Sequence, residues 1–298
     1  MNSHEDWMVS KIDRERRLNN TELSPVLTLA YEKAAQEILA SPDYAIQPTD
    51  FISVYGEKVI AEDIAHAARL SREFELRRTP EEKKMKKIAD VFEAVVLMQS
   101  ELSEWFGTAQ TLKTAPYDDY ENKVDMITEW FTPEEGSHLL ALAVDVTFST
   151  RGIQKKLTEI KTEIDRGRLG SIKYFTDERG DFIGTRNNVP RTVIGVSESV
   201  VEELANLWIH KKNKLLGEHP VQRLFLDEME SQLSAMHDYA LKQGKTNAVL
   251  AYRQALGVVQ PIRAHKLKFR SSELSNDRVA KEIALTTEAV LRASSNTG

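Results

Sequence analysis

Asp118, Asp119, Asp125 and Asp145 form an acidic set, and the segment after them has helical spacing and carries Lys155, Lys156 and Lys161. Asp145 draws attention through its setting, Ala-Leu-Ala-Val-Asp-Val-Thr-Phe, an apolar run with one carboxylate inside it. A buried carboxylate needs a cation, a metal or several hydrogen bonds, because an unpaired one costs several kcal/mol or more. Alternation along a strand puts Asp125, Ile127 and Glu129 on one face, and Asp145 shares a face with Ala141, Ala143 and Thr147. Two carboxylates on neighbouring strands repel each other unless a cation lies between them. Oxygen-only ligation of that kind suits Mg²⁺ or Mn²⁺. The plainer reading of each acid is a hydrogen bond to a turn or a pair with a nearby lysine. Asp118 and Asp119, in the turn-like Pro116-Tyr-Asp-Asp-Tyr-Glu-Asn122, fit a solvated setting as readily as a metal site.

The elements that must position these groups are legible. Residues 123–131 and 139–148 are rich in aliphatic, aromatic and β-branched side chains, and Thr132-Pro-Glu-Glu-Gly136 separates them. That pattern predicts two antiparallel strands joined by a turn. Ile153, Leu157, Ile160 and Ile164 then form a narrow helical stripe that ends near Gly167 and Gly170. Lys156 and Lys161 flank the stripe on opposite sides and Lys155 points outward, so either flanking ammonium can reach the sheet edge while its stem packs on apolar surface. Short strands are expected at 171–176, 181–185 and 192–196. Before the strand pair, Thr79-Pro-Glu-Glu82 opens a long helix to about Phe106, with Ile88, Val91, Phe92, Val95, Leu102 and Phe106 on one face. Glu93, Glu101 and Glu104 fall on its polar side, and Gln99 projects into its apolar face. Earlier helices are expected over 26–39 and within 57–76, with residues 1–22 a loosely docked arm. Later ones are expected from Ser197 or Ser199 through Trp208, and over 221–243, 246–258 and 276–293. The fold class is therefore α/β (α+β), a small mixed sheet flanked by helices. It divides into a helical N-terminal region (1–78), an α/β core (79–198) and a helical C-terminal region (199–298).

This order resembles the core of the PD-(D/E)XK nuclease superfamily, on a long helix, a strand with Asp125, a strand with Asp145-Val-Thr147, a helix with Lys156 and Lys161, and the strand Ile172-Lys-Tyr-Phe175. The resemblance covers roughly residues 80–176. It implies a restriction-endonuclease-like αβββαβ unit in which Asp125 and Asp145 bind Mg²⁺ or Mn²⁺, with Asp119 a further metal candidate, and a water is activated for phosphodiester hydrolysis of DNA or RNA. The motif lysine position is Thr147 here. Some members supply that lysine from the next helix, which points to Lys156 or Lys161. Others have lost activity and serve as scaffolds, so a catalytically inactive relative that binds nucleic acid or a protein partner is the alternative reading. A structural helical protein with salt-bridged acids is a third.

Other chemistries are thinly represented. The chain has no cysteine, which excludes disulfides, thiolate metal sites and cysteine nucleophiles and fits a reducing, cytoplasmic setting. Its seven histidines show no ligand spacing, and no P-loop, Gly-x-Gly-x-x-Gly or Gly-x-Ser-x-Gly motif is present. No apolar run approaches the ~20 residues of a membrane span. A net charge of −6 argues against a surface coated with nucleic acid but leaves room for a local basic groove. Two basic runs, His210-Lys-Lys-Asn-Lys214 and Arg263-Ala-His-Lys-Leu-Lys-Phe-Arg270, could contact phosphates, the second with Phe269 able to stack on a base.

Overall fold

Ser24 opens the first helix, α1 (Pro25–Glu37), by accepting a hydrogen bond from the Leu27 amide at 3.3 Å, with Pro25 at the first helical position. The computed structural model describes residues 22–132, 138–177, 180–269, 272 and 274–293, with side chains 131–143 excepted. Residues 1–21 of the expected N-terminal arm and 133–136 of the expected turn thus lie outside the described residues. A 3₁₀ turn at Pro48–Phe51 and the short α2 (Ile52–Tyr55) lead into α3 (Glu57–Arg77).

Thr79 and Glu82 then form a reciprocal capping box, Thr79 N–H to the Glu82 carboxylate at 2.8 Å and Glu82 N–H to the Thr79 hydroxyl at 3.2 Å. That cap starts α4 (Pro80–Leu102). The helix stops four residues short of the expected Phe106, and Leu102 is exposed rather than on the buried stripe. Its second half is buried on all sides, Glu93 and Gln99 included, because α4 lies between the sheet and the helices α1 and α6 (Glu198–Ile209). Gln99 is a satisfied core amide that accepts the Ser103 hydroxyl at 2.8 Å.

A four-stranded mixed sheet follows, in the order β1 (Gln110–Lys113), β2 (Met126–Thr132), β3 (His138–Thr147) and β6 (Arg191–Gly195). β1, β2 and β3 form an antiparallel meander, and β6 returns parallel to β3. Between β3 and β6 the chain passes through α5 (Ile153–Arg166) and a separate antiparallel pair, β4 (Gly170–Thr176) and β5 (Ile183–Val189). The expected β2–β3 pair is present. β1 was not foreseen, since Gln-Thr-Leu-Lys is four residues long with a single aliphatic side chain. The stripe of α5 is buried as its spacing predicts.

The free edge of β6 is closed by α8 (Val221–Lys242), which follows the short α7 (Asn213–Gly217). One turn apart on α8, Gln232 bonds both the N–H and the carbonyl of Val193, at 2.9 and 2.6 Å, and Glu228 accepts the Gly195 N–H at 3.0 Å. Two side chains thereby complete an edge that would otherwise offer itself to another strand. Helix α9 (Thr246–His265) pairs with α8 and continues through Pro261, beyond the expected end at 258. Burial of Val259, and packing of Ile262 against Gly107, offset the helical hydrogen bond the proline removes. Helix α10 (Arg278–Arg292), capped by Asp277, packs on α5, α8 and β6.

One apolar cluster runs from Leu27 to Val290 and joins all three expected regions around one side of the sheet, through Met126, Trp130, Val144 and Val146. A second, smaller cluster lies on the opposite side. There Ile127 of β2 meets Phe51, Ile60 of α3, and Ile172, Tyr174 and Phe175 of β4. No helix among the described residues is long and apolar enough to cross a membrane.

Candidate functional site

Val144 and Val146 turn into the larger core, so Asp145 between them faces the side of the smaller one. Met126 pairs with Val144, which sets Asp125, the residue before β2, opposite Asp145 in the antiparallel register. The Asp125 carboxylate accepts the Val146 amide and the Lys156 ammonium, each at 3.1 Å. Lys156 also donates to the Val146 carbonyl at 3.4 Å. The first turns of α5 therefore return Lys156 over the end of β3, and the pairing of Asp125 with a helix-borne lysine is part of the fold. Burial works against charging Asp125, but Lys156, Lys113 and the two hydrogen bonds outweigh it and hold its pKa below the usual carboxylate value. Burial works against Lys156 too, and Asp125 and Asp145 outweigh it, so this group stays an ammonium above the ordinary lysine range.

Asp145 is 1% exposed and its Oδ2 accepts Arg191 at 2.8 Å. Arg191, itself 2% exposed, also binds Glu163 of α5 at 2.6 Å and the Lys123 carbonyl at 2.5 Å. Its place at the start of β6 follows from the parallel register, which sets Arg191 beside Ala143 and Val193 beside Asp145. The Oδ1 of Asp145, the Nε of Arg191 and the Oε2 of Glu163 are buried without a hydrogen-bond partner. Burial raises the Asp145 pKa, while Lys156 and Arg191 oppose that rise.

The same network extends across the sheet. Lys113 of β1 binds Glu93 of α4 at 2.6 Å and lies 4.0 Å from Asp119. Next to it Lys86 pairs with Asp90 on α4. Glu93 is thus not on a solvated face as its helical phase suggested; it is buried against β1. Around the Asp125–Asp145 pair, among the described residues, six carboxylates (Asp90, Glu93, Asp119, Asp125, Asp145, Glu163) stand against four cations (Lys86, Lys113, Lys156, Arg191). Burial, aided by Asp125 and Glu93 and opposed by Lys113, pushes Asp119 up to about 6.

Asp119 yields a stability prediction. A carboxyl whose pKa rises on folding favours the folded state at low pH, and that advantage is lost as pH climbs from the unfolded value near 4 through about 6. Two pKa units correspond to at most ~3 kcal/mol, and a side chain 30% exposed retains on the order of 1 kcal/mol of that. Asp119→Asn is therefore expected to be more stable than the wild type at pH 7–8 by about 1 kcal/mol, with the difference gone near pH 4. Urea midpoints across this range measure it; a constant difference would rule out a raised Asp119 pKa.

Three residues of the expected set lie outside this network. Asp118 is fully buried and accepts the Lys173 and Tyr174 amides at 2.7 and 3.0 Å, so it fastens β4 rather than offering a ligand. Lys161 binds Asp165 at 2.5 Å with its ammonium over the Tyr239 ring, on the α5–α8 side. Thr147 donates its hydroxyl to the Ser149 carbonyl at 2.9 Å and fills the space above Gly195, where a Cβ would come within 2.7 Å of its methyl. The second basic run is ion-paired at its first residue. Arg263 pairs with Asp227 and Glu230, while Lys266 and Lys268 lie over the Phe269 ring.

Arg191, Glu163 and Lys113 were not singled out in the sequence, and Glu93 was named only as an acid on the polar side of its helix. A usable signal existed for Arg191, a charge that opens the buried run Arg-Thr-Val-Ile-Gly, just as Asp145 interrupts its own. Among the described residues no three acids or histidines converge as a metal cage. Asp125 and Asp145 are the carboxylates expected to hold Mg²⁺ or Mn²⁺; the Oδ1 of Asp145 is buried without a hydrogen-bond partner, while Lys156 already occupies an oxygen of Asp125. Comparison with protein-family models, with curated proteins and with solved structures gave no match.

Proposed function

We propose that this chain is a metal-dependent nuclease that hydrolyses phosphodiester bonds of DNA or RNA on a divergent PD-(D/E)XK-like core. The observation that carries the reading is Lys156 bound to Asp125 and within electrostatic reach of Asp145, a lysine supplied from α5 where the strand position holds Thr147. Two further features support it. The expected last strand, Ile172–Phe175, instead lies in β4 and pairs with β5 in a separate sheet; with β6, parallel to β3, taken in its place and the β4–β5 hairpin as an insertion, the order α4–β1–β2–β3–α5–β6 supports the reading. Glu93 stands on the first helix of that unit, where superfamily members commonly carry an acid, and it contributes to the charge around Lys156.

In this reading Asp125 and Asp145 hold Mg²⁺ or Mn²⁺, which when bound supplies positive charge to the phosphate and acidity to a water. Lys156, kept protonated by its acids, stabilises charge that develops on the phosphoryl oxygens and does not serve as a base. Arg191 orients Asp145 and opposes the rise in its pKa that burial causes. Glu93 holds Lys113 beside Asp119 and Asp125, which fixes the field around the reacting phosphate.

A second reading is favoured by one arrangement, the Arg191 guanidinium on Asp145. A guanidinium can satisfy the buried carboxylate without a metal, and such a chain would bind nucleic acid or a protein partner without cutting. Incubation with plasmid, single-stranded DNA and RNA, in Mg²⁺, Mn²⁺ or EDTA, separates the two. Metal-dependent cleavage, lost in Asp125→Asn, is expected. Retention of nucleic acid in gel shifts with no cleavage under any metal would establish the scaffold reading instead.

A further inference from the structure

A cavity of about 570 Å³ opens between α3 and the β1–β2 connection. Its walls include Ile46, Ala67, Tyr117 and Tyr120, with Lys113 and Asp119 among its polar groups. Thr114, also on its wall, donates its N–H to the Asp125 carbonyl at 3.2 Å, and Lys113 pairs with the adjacent Met126, so this wall adjoins the Asp125–Lys156 site. The volume lies in the range of about 300–1,000 Å³ typical of small-ligand sites, enough for one nucleotide and closed to a duplex by α3, which lines it with Asp63, Ile64, Ala67, Ala68 and Ser71. Lys113 is paired with Glu93, and Lys86, also on the wall, with Asp90. The cavity therefore offers little net positive charge to a phosphate. Apolar walls, two tyrosines and a few polar groups instead suit an uncharged heterocycle.

We infer that the cavity takes the base of an unpaired nucleotide whose phosphate lies at Asp125 and Lys156, so that the substrate is single-stranded nucleic acid or the frayed end of a duplex. The choice of ligand rests on the nuclease reading. An unpaired base avoids the unstacking and unpairing cost of several kcal/mol that a paired one would meet on entering such a site. Tyr120 already stacks on Phe74 and Tyr117 lies under the Lys173 ammonium, so a base would be held by apolar contact that tolerates any sequence, and the selectivity is for strandedness and not for base identity.

Two measurements on the full chain test this. The first compares cleavage of single-stranded and blunt-ended duplex DNA by the wild type, by Ala68→Trp, which fills the cavity from an exposed helix position, and by Tyr120→Ala, which removes a wall. The second measures calorimetric binding of a thymidine dinucleotide in EDTA, where no cutting can occur. Single strands are expected to be cut at least about tenfold faster than duplex, and each variant to lose about tenfold or more in dinucleotide affinity. Equal cutting of both substrates, or dinucleotide affinity unchanged in both variants, overturns the inference while leaving the nuclease reading intact. If nothing is cut, the nuclease reading fails alone: dinucleotide binding that both variants lose still supports the cavity, and its absence in the wild type overturns it.

Discussion

Arg191→Leu is expected to lower the unfolding free energy by about 3–5 kcal/mol. The guanidinium is 2% exposed and meets Asp145, Glu163 and the Lys123 carbonyl. Its removal leaves the Asp145 carboxylate buried, with Lys156 the remaining cation near it. A buried charge stripped of its partner is among the costliest single changes a fold can suffer, whereas removing both members of a pair is much milder. The double variant Asp145→Leu/Arg191→Leu is therefore expected to recover much of the loss, with a coupling of about 1–3 kcal/mol in a double-mutant cycle. Urea unfolding of the four proteins measures it. A cost below about 1 kcal/mol for Arg191→Leu would show that Asp145 does not depend on this cation. The same reasoning bears on any functional test at Asp145. Asp145→Ala would strand Arg191 in turn, so a loss of activity in that variant would report folding as much as chemistry.

Lys156 is the cleaner probe, and the second large effect is expected there. Its side chain is 30% exposed and its partner Asp125 19% exposed, so water can replace the lost contact. Lys156→Ala should cost about 1 kcal/mol of stability or less yet slow cleavage by on the order of 10²–10³, the usual effect of removing one group that stabilises transition-state charge. Lys156→Arg keeps the charge and should restore part of the rate. Because its acids hold Lys156 protonated beyond the ordinary lysine range, the rate should not fall through loss of this proton at mildly alkaline pH. Single-turnover cleavage across pH, alongside circular dichroism of each variant, checks both points. Undiminished cleavage by Lys156→Ala would move catalysis away from this site altogether.

The local elements were largely written in the chain. Ser24-Pro25 and Thr79-Pro80 mark helix starts through caps that satisfy orphan amides, and the stripe of α5 specifies its buried face. Alternation assigned Asp125 and Asp145 their faces on two neighbouring strands, and the register that sets them opposite each other came from the structure. Lys156 could be nominated from helical phase, although phase alone gave Lys161 the same standing. Tertiary structure separated the two. Asp165 and Tyr239 hold Lys161, while the β3–α5 connection carries Lys156 back to Asp125.

The sequence by itself thus determined where the carboxylates stand and that Asp145 needs a partner, because burial of a charge is a local demand readable from its neighbours. Only the tertiary structure decided what meets that demand. Arg191 reaches Asp145 from a strand 46 residues away through a parallel crossover, and Glu93 turns inward because β1 supplies Lys113. Contacts between distant segments leave no periodicity in the chain. The polar side of α4 becomes interior only once the sheet and its helices close around it.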